Sequence, residues 1–137
     1  MLKLSTKGRY GLRAMIDLAE YYNEGPVLMS AIAERQDVSR KYLHALLTSL
    51  KEAGFVKSRR GAKGGYLLAK KPSSIRVSDV FEALEGTLVI IDCLDEADTC
   101  SRSSHCVARD MWKDVNTAMV DVLKGVTLAD LAKKSKK

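Results

Sequence analysis

One ordered run constrains the fold more than anything else in the chain. Between Ser30 and Leu68 the sequence reads as a short helix, a tight turn, a longer amphipathic helix and a Gly-rich hairpin. Ser30 is a suitable N-cap for a helix over Ala31–Gln36, because its hydroxyl can accept from an unpaired backbone N–H. Asp37-Val38 supplies the turn. Ser39 caps a second helix running to Ala53, with Leu43, Leu46, Leu47 and Leu50 at helical spacing on its buried face. Gly54 closes it. Two short strands within Phe55–Leu68 then flank the tip Arg59-Arg60-Gly61-Ala62-Lys63-Gly64-Gly65, whose glycines supply the positive φ values of a tight loop. Helix, turn, helix and basic hairpin in that order spell a winged helix-turn-helix.

The flanks fit that core. Tyr10, Ala14, Met15, Leu18, Ala19 and Tyr22 predict a helix over Thr6–Tyr22, stopped by Asn23-Glu24-Gly25-Pro26. Val27–Met29 is extended. Lys70–Ser74 is a linker, Ile75–Val77 is extended, and Ser78 caps a helix over Asp79–Leu84 that Gly86 ends. A long helix follows over Val107–Lys124, with Met111, Trp112, Val115, Met119, Val122 and Leu123 along one face. So long an apolar stripe needs a partner, which predicts a homodimer. Met111 and Trp112 belong to the core or dimer contact, not to a cofactor box. Thr127 caps a last short turn, and Lys133–Lys137 is a frayed basic tail. The expected class is mainly α with a small β-wing, in 137 residues. Residues 1–76 form the winged helix-turn-helix, 77–130 the sensor loop and dimerisation helix, and 131–137 a disordered basic tail.

Charge points to the partner. The formal net charge of +6 is unevenly spread. Residues 1–76 carry 15 Lys/Arg against 6 Asp/Glu, whereas 77–127 carry 4 against 10. The basic half is built to meet a polyanion. In this fold the second motif helix enters the major groove by its N-terminal end, here Ser39, Arg40, Lys41, Tyr42 and His44. Arg40 and Lys41 can pair with guanine edges or phosphates. Arg59, Arg60 and Lys63 sit on a thin glycine-rich tip, and an arginine there suits a narrow minor groove. The expected partner is double-stranded DNA. A phosphate-binding P-loop is excluded, since no Gly-Lys-Ser/Thr follows a spaced glycine. No apolar run reaches the ~18 residues of a membrane span. The charge-threaded start, MLKLSTKGRYGLRAM, lacks the apolar core of a signal peptide, which predicts a cytoplasmic protein.

All three cysteines, Cys93, Cys100 and Cys106, lie in one stretch spaced C-x6-C-x5-C, in a segment without helical or strand period. Thiolates are soft ligands, suited to iron–sulfur clusters and zinc. An odd number cannot all pair as internal disulfides. Three readings remain open beside a cluster: a zinc site completed by His105, a metal-free thiol switch, and a decayed site without function. The two histidines, His44 and His105, are isolated, and no second histidine stands near a Ser or Asp nucleophile constellation, so an enzyme is not expected.

The segments LSTKGRYGLRAMIDLA, AERQDVSRKYL and RRGAKGGYLL, with the cysteines before a Trp-bearing helix, resemble one bacterial family over residues 1–130. It is the family of winged-helix regulators typified by the iron–sulfur cluster regulator IscR, the nitric oxide sensor NsrR and the cysteine-metabolism repressor CymR, with IscR nearest in pattern. The resemblance implies a homodimeric transcriptional regulator that senses redox state, nitric oxide or iron–sulfur supply through a 2Fe–2S or 4Fe–4S cluster on the three cysteines. It implies that Arg60 enters the minor groove and that Val107–Lys124 crosses to a second subunit. It also marks departures. His44 stands where IscR reads a base with glutamate, so a different operator is implied. Arg109 stands where IscR has its fourth, histidine ligand, and a guanidinium stays protonated. Gly8 stands near the place of the aspartate ligand of NsrR. The first cysteine gap is one residue longer than the family's five. His105, Asp110, another carboxylate or a small thiol remain for the fourth ligand. The alternatives are a thiol- or metabolite-responsive repressor without iron, or a module that modulates a biosynthetic enzyme.

Overall fold

The computed structural model describes residues 4–135. Six helices and one hairpin follow in the order α1 (Thr6–Glu20), α2 (Met29–Gln36), α3 (Arg40–Glu52), β1 (Val56–Arg59), β2 (Gly65–Leu68), α4 (Val77–Glu85), α5 (Val107–Gly125) and α6 (Leu128–Ser135). This is the mainly α chain with a small two-stranded wing that the sequence predicts. α1 lies at the centre and buries Ala14, Met15 and Leu18. α2, α3, α4 and α6 close around it with Ile32, Leu43, Leu47, Leu50, Val80 and Leu128. Each fully buried leucine stabilises the fold by about 1.5–3 kcal/mol.

The helix-turn-helix forms as read. Asp37 takes the left-handed conformation at φ 50° and ends α2. The Ser39 hydroxyl then accepts from the Tyr42 N–H at 3.1 Å, capping α3. Leu43, Leu46, Leu47 and Leu50 are its buried residues. In the wing, Val56 pairs with Leu68 and Arg59 with Gly65. Val27 adds a rung beside Tyr66, with both N–H···O bonds at 2.8 Å. Gly65, at φ 150°, makes room for this: a Cβ there would stand 2.4 Å from the Val27 carbonyl oxygen.

Several boundaries differ from expectation. α1 stops at Glu20, two residues early, as Asn23 (φ 74°) and Gly25 (φ 86°) turn the chain. Ser30 does not cap α2. Leu28 takes the cap position, its carbonyl accepting from Ala31 and Ile32, because the bridge to Tyr66 holds Val27 extended just before it. Ser78 does not cap α4. It is buried, and the Asp79 carboxylate accepts from the Arg76 N–H at 3.0 Å instead. The last turn is a full helix. Thr127 and Asp130 bond reciprocally, N–H to carboxylate at 3.0 Å and N–H to hydroxyl at 3.2 Å. Leu128 and Ala132 are buried, so α6 docks on the core, and residues 131–135, expected in a disordered tail, are helical. Lys136 and Lys137 lie outside the described residues. Since α4 and α6 join the core of α1, that core does not end at residue 76.

One ion pair holds the core's polar seam. Asp17 on α1 is 1% exposed. Arg35 on α2 donates to both its oxygens at 2.9 and 2.8 Å, and the Gln36 amide adds a third bond at 3.0 Å. The carboxylate bonds hold the Arg35 guanidinium above its usual pKa, against the cost of burial. Its Cζ also lies over the Tyr21 ring, 4.6 Å from the ring centroid. A buried carboxylate left without its cation is expensive, so Arg35→Ala is expected to cost about 3 kcal/mol. Urea denaturation of the two proteins checks this.

Candidate nucleic-acid interface and cysteine loop

The predicted DNA-contact residues divide into two kinds. Arg40, Lys41 and His44 are exposed in the first turns of α3, whose buried residues are the four leucines. Arg59, Arg60 and Lys63 are exposed at the wing. Ser39 and Tyr42 have structural work. Ser39 caps α3, while the half-buried Tyr42 donates its hydroxyl to Thr6 Oγ1 at 3.1 Å. The Tyr42 ring meets Tyr10 edge-on with centroids 6.1 Å apart. Together these contacts fix the angle of α3 against α1. The helix is also tied to the wing, because Lys51 Nζ donates to Ser58 Oγ at 2.8 Å. At the tip, Gly61 has φ 104°, and the Gly64 N–H donates to its carbonyl at 3.0 Å. A Cβ on Gly64 would stand 2.2 Å from the Arg59 carbonyl oxygen, so the turn needs glycine there.

The cysteine loop lies between α4 and α5 and includes short 3-10 turns at Asp92–Leu94 and Ala97–Thr99. Cys93 and Cys106 are half-buried, Cys100 is exposed, and all three are free thiols. Cys106 stands at the N-cap of α5. Among the described residues, no three His, Cys, Asp or Glu side chains come close enough to share a metal ion. His105 is exposed, its Nδ1 3.2 Å from Ser104 Oγ, and Asp110 is exposed on the first turn of α5. Gly8 leaves no room for a ligand side chain: a Cβ there would stand 2.5 Å from Phe81 Cε1.

The donor set still suits a thiolate-bound cluster in kind. Among the described residues, none of 92–106 is buried as a whole, although Ser103 Oγ is, so gathering the three thiols displaces no hydrophobic core residue. Three roles around the loop escaped the sequence reading. Arg109 donates to the Cys93 carbonyl through Nε at 3.2 Å and through its terminal nitrogen at 3.1 Å. Asn116 accepts from the Ile90 N–H at 2.8 Å and donates to the Leu88 carbonyl at 3.0 Å. Glu85 accepts from the Gly8 N–H at 3.0 Å and from the Ser5 hydroxyl, so α4 caps α1. The only sequence signal for Asn116 is a polar residue of modest helix propensity in mid-helix.

α5 departs from every other helix. Among the described residues, none of its 19 is buried. Val107, Met111, Val115 and Val122 are 82%, 51%, 42% and 66% exposed. Val115, Met119 and Leu123 line a groove of about 510 Å³ with Leu4, Phe81 and Val89.

A family profile described as an iron-dependent transcriptional regulator matches residues 4–134. The chain belongs to the Rrf2 family. It is 42% identical to the protein rrf2 of Nitratidesulfovibrio vulgaris over 130 residues, covering 95% of this chain and 87% of that one. The solved structure of CymR, the global cysteine regulator of B. subtilis, superposes with TM-score 0.82 at 40% identity, covering 98% of both chains. IscR of T. potens superposes with the same TM-score at 44% identity, covering 98% of this chain and 88% of that one. The relatives CymR of Bacillus subtilis and IscR of Aliivibrio salmonicida are HTH-type transcriptional regulators, and the likeness to the solved CymR and IscR structures makes the fold that of a winged-helix regulator. Among the described residues, no helix is long and apolar enough to cross a membrane.

Proposed function

We propose that this Rrf2-family regulator binds double-stranded operator DNA as a homodimer and that an iron–sulfur cluster on Cys93, Cys100 and Cys106 sets its affinity. The observation that carries this reading is the placement of three free thiols on one coreless loop, between the DNA-binding helices and the exposed α5. The family's iron-dependent description supports it. The fourth ligand is open to His105, Asp110, another carboxylate or a small thiol, and the cluster is of the 2Fe–2S or 4Fe–4S type. When bound, the cluster supplies a group that changes with redox state, nitric oxide or iron supply. The residues of the chain do the rest. Arg109 holds the backbone at Cys93, and Cys93, Cys100 and Cys106 would hold the cluster beside the start of α5, where Cys106 is the N-cap residue. Such work belongs in the cytoplasm, where thiols stay reduced.

At the DNA, α3 enters the major groove with Arg40 and His44 at the base edges and Lys41 at a phosphate, and Arg60 enters the minor groove. Arg60→Ala is expected to cost about 1–3 kcal/mol of operator affinity and to relax preference for A·T-rich flanks. Lys41→Ala, removing a phosphate contact, weakens all sequences alike and flattens the salt slope. Fluorescence anisotropy over a salt series separates the two.

The dimer follows from the face of α5. Val115 and Met119 line its groove, and a second copy supplies the apolar cover the face lacks. Val115→Glu with Met119→Glu is expected to give monomers that lose tight binding, because two half-sites need fixed spacing. Sedimentation velocity reads this, and a monomeric wild type at micromolar concentration would contradict it.

A second reading is a metal-free thiol-responsive repressor. It is favoured by the separation of potential ligands among the described residues and by the likeness to the cysteine regulator CymR. Anaerobic purification decides between them. Wild type is expected to hold iron and sulfide, and each of Cys93→Ala, Cys100→Ala and Cys106→Ala to lose them together with the response of DNA affinity. Iron-free wild type under strict anaerobiosis overturns the cluster. A thiol-dependent change of affinity in that protein then establishes the repressor.

A further inference from the structure

The segment joining α4 to Cys93 is laid along α5 and pinned at two points. At one end, Arg109 holds the Cys93 carbonyl with two bonds. Two helical turns further along α5, Asn116 pairs with both the Ile90 N–H and the Leu88 carbonyl. A side-chain amide offers donors and an acceptor, so Asn116 engages one N–H and one C=O of a segment that also closes a tight bond from the Val89 N–H to the Thr87 carbonyl at 3.1 Å. The strap therefore runs antiparallel to α5, and its far end is also fixed. Gly86, at φ 84°, joins it to Glu85, which accepts from the Gly8 N–H and the Ser5 hydroxyl at the start of α1. The next residue of α1, Thr6, holds the Tyr42 hydroxyl of α3.

A continuous set of bonded groups thus runs from Cys93 through the strap and Glu85 to the reading helix. We propose that Asn116 is a positioning residue that couples the state of Cys93 to operator affinity by holding residues 88–90 on α5. This rests on the proposed role of the cysteine loop in setting that affinity. With the strap held, a displacement at Cys93 passes to Glu85. With it released, the displacement is absorbed in the strap. Asn116 lies mid-helix where Ala is the better helix former, so its removal leaves α5 intact.

The test uses the full chain, reduced and metal-free, before and after its thiols are alkylated with iodoacetamide. In wild type, alkylation is expected to change the operator Kd by about fivefold or more. Unmodified Asn116→Ala is expected to bind like wild type, with its Kd moving by less than about twofold on alkylation, the error of such comparisons. Peptide mass spectrometry adds a local readout: Cys93 in Asn116→Ala labels faster, while Cys100 and Cys106 keep their rates. If wild type and Asn116→Ala respond equally, the inference fails and the role of the cysteine loop stands. If unmodified Asn116→Ala binds more weakly than wild type, the residue is structural and the inference fails. If wild type itself does not respond, the loop's role fails and the inference with it.

Discussion

Everything in this fold hangs on how closely α1 can be approached. Gly8 and Gly11 thin one face of the helix, where a Cβ would stand 2.5 Å from Phe81 Cε1 and 2.1 Å from Leu84 Cδ1. α4 comes in against that face and brings Glu85 to the first turn of α1. On another side the buried Asp17 binds Arg35 and Gln36, which fixes α2. Tyr10 and Thr6 meet Tyr42 and fix α3. The reading helix, the loop-bearing helix and the turn between α2 and α3 therefore share one reference. A small tilt of α1 is felt at all of them, because packed interiors transmit displacement.

Much of this was legible in the chain because its causes are local. The leucine spacing of α3, the Ser39 cap and the glycines of the wing each act within a few residues, and the structure keeps them. The apolar stripe of α5 was also visible as a period. What escaped depends on partners distant in sequence. Ser30 reads as a good cap, yet the pairing of Val27 with Tyr66 starts α2 sooner. Ser78 reads as a cap, yet burial claims it. The lysine-rich end reads as a tail, yet Leu128 fits under Ile75, whose carbonyl accepts from the Leu128 N–H at 2.9 Å.

The candidate sites divide the same way. Exposed basic residues on α3 and the wing follow directly from helical spacing and turn chemistry. The roles of Ser39 and Tyr42 do not, since a hydroxyl at a helix start can face a base or cap its own helix. The cysteines were legible as a group, but their side chains do not converge among the described residues. Arg109 was read only as a missing ligand, whereas the structure shows what it does, gripping the Cys93 backbone. Spacing along a chain lists the donors available. It does not say which neighbours hold them.

The wing combines a fixed root with a free end. Its base is locked by the Val27 rung and the close fit of Gly65. At its tip, Gly61 has open space around its Cβ position, and Arg60 and Lys63 are exposed. Substitutions at Arg60, Ala62 or Lys63 therefore touch no core contact. If the hairpin meets DNA as proposed, a lineage can change which DNA it favours one residue at a time without endangering the fold that carries it. New operators would then be within reach of single mutations, and descendants of one such gene could separate their targets while keeping the same scaffold.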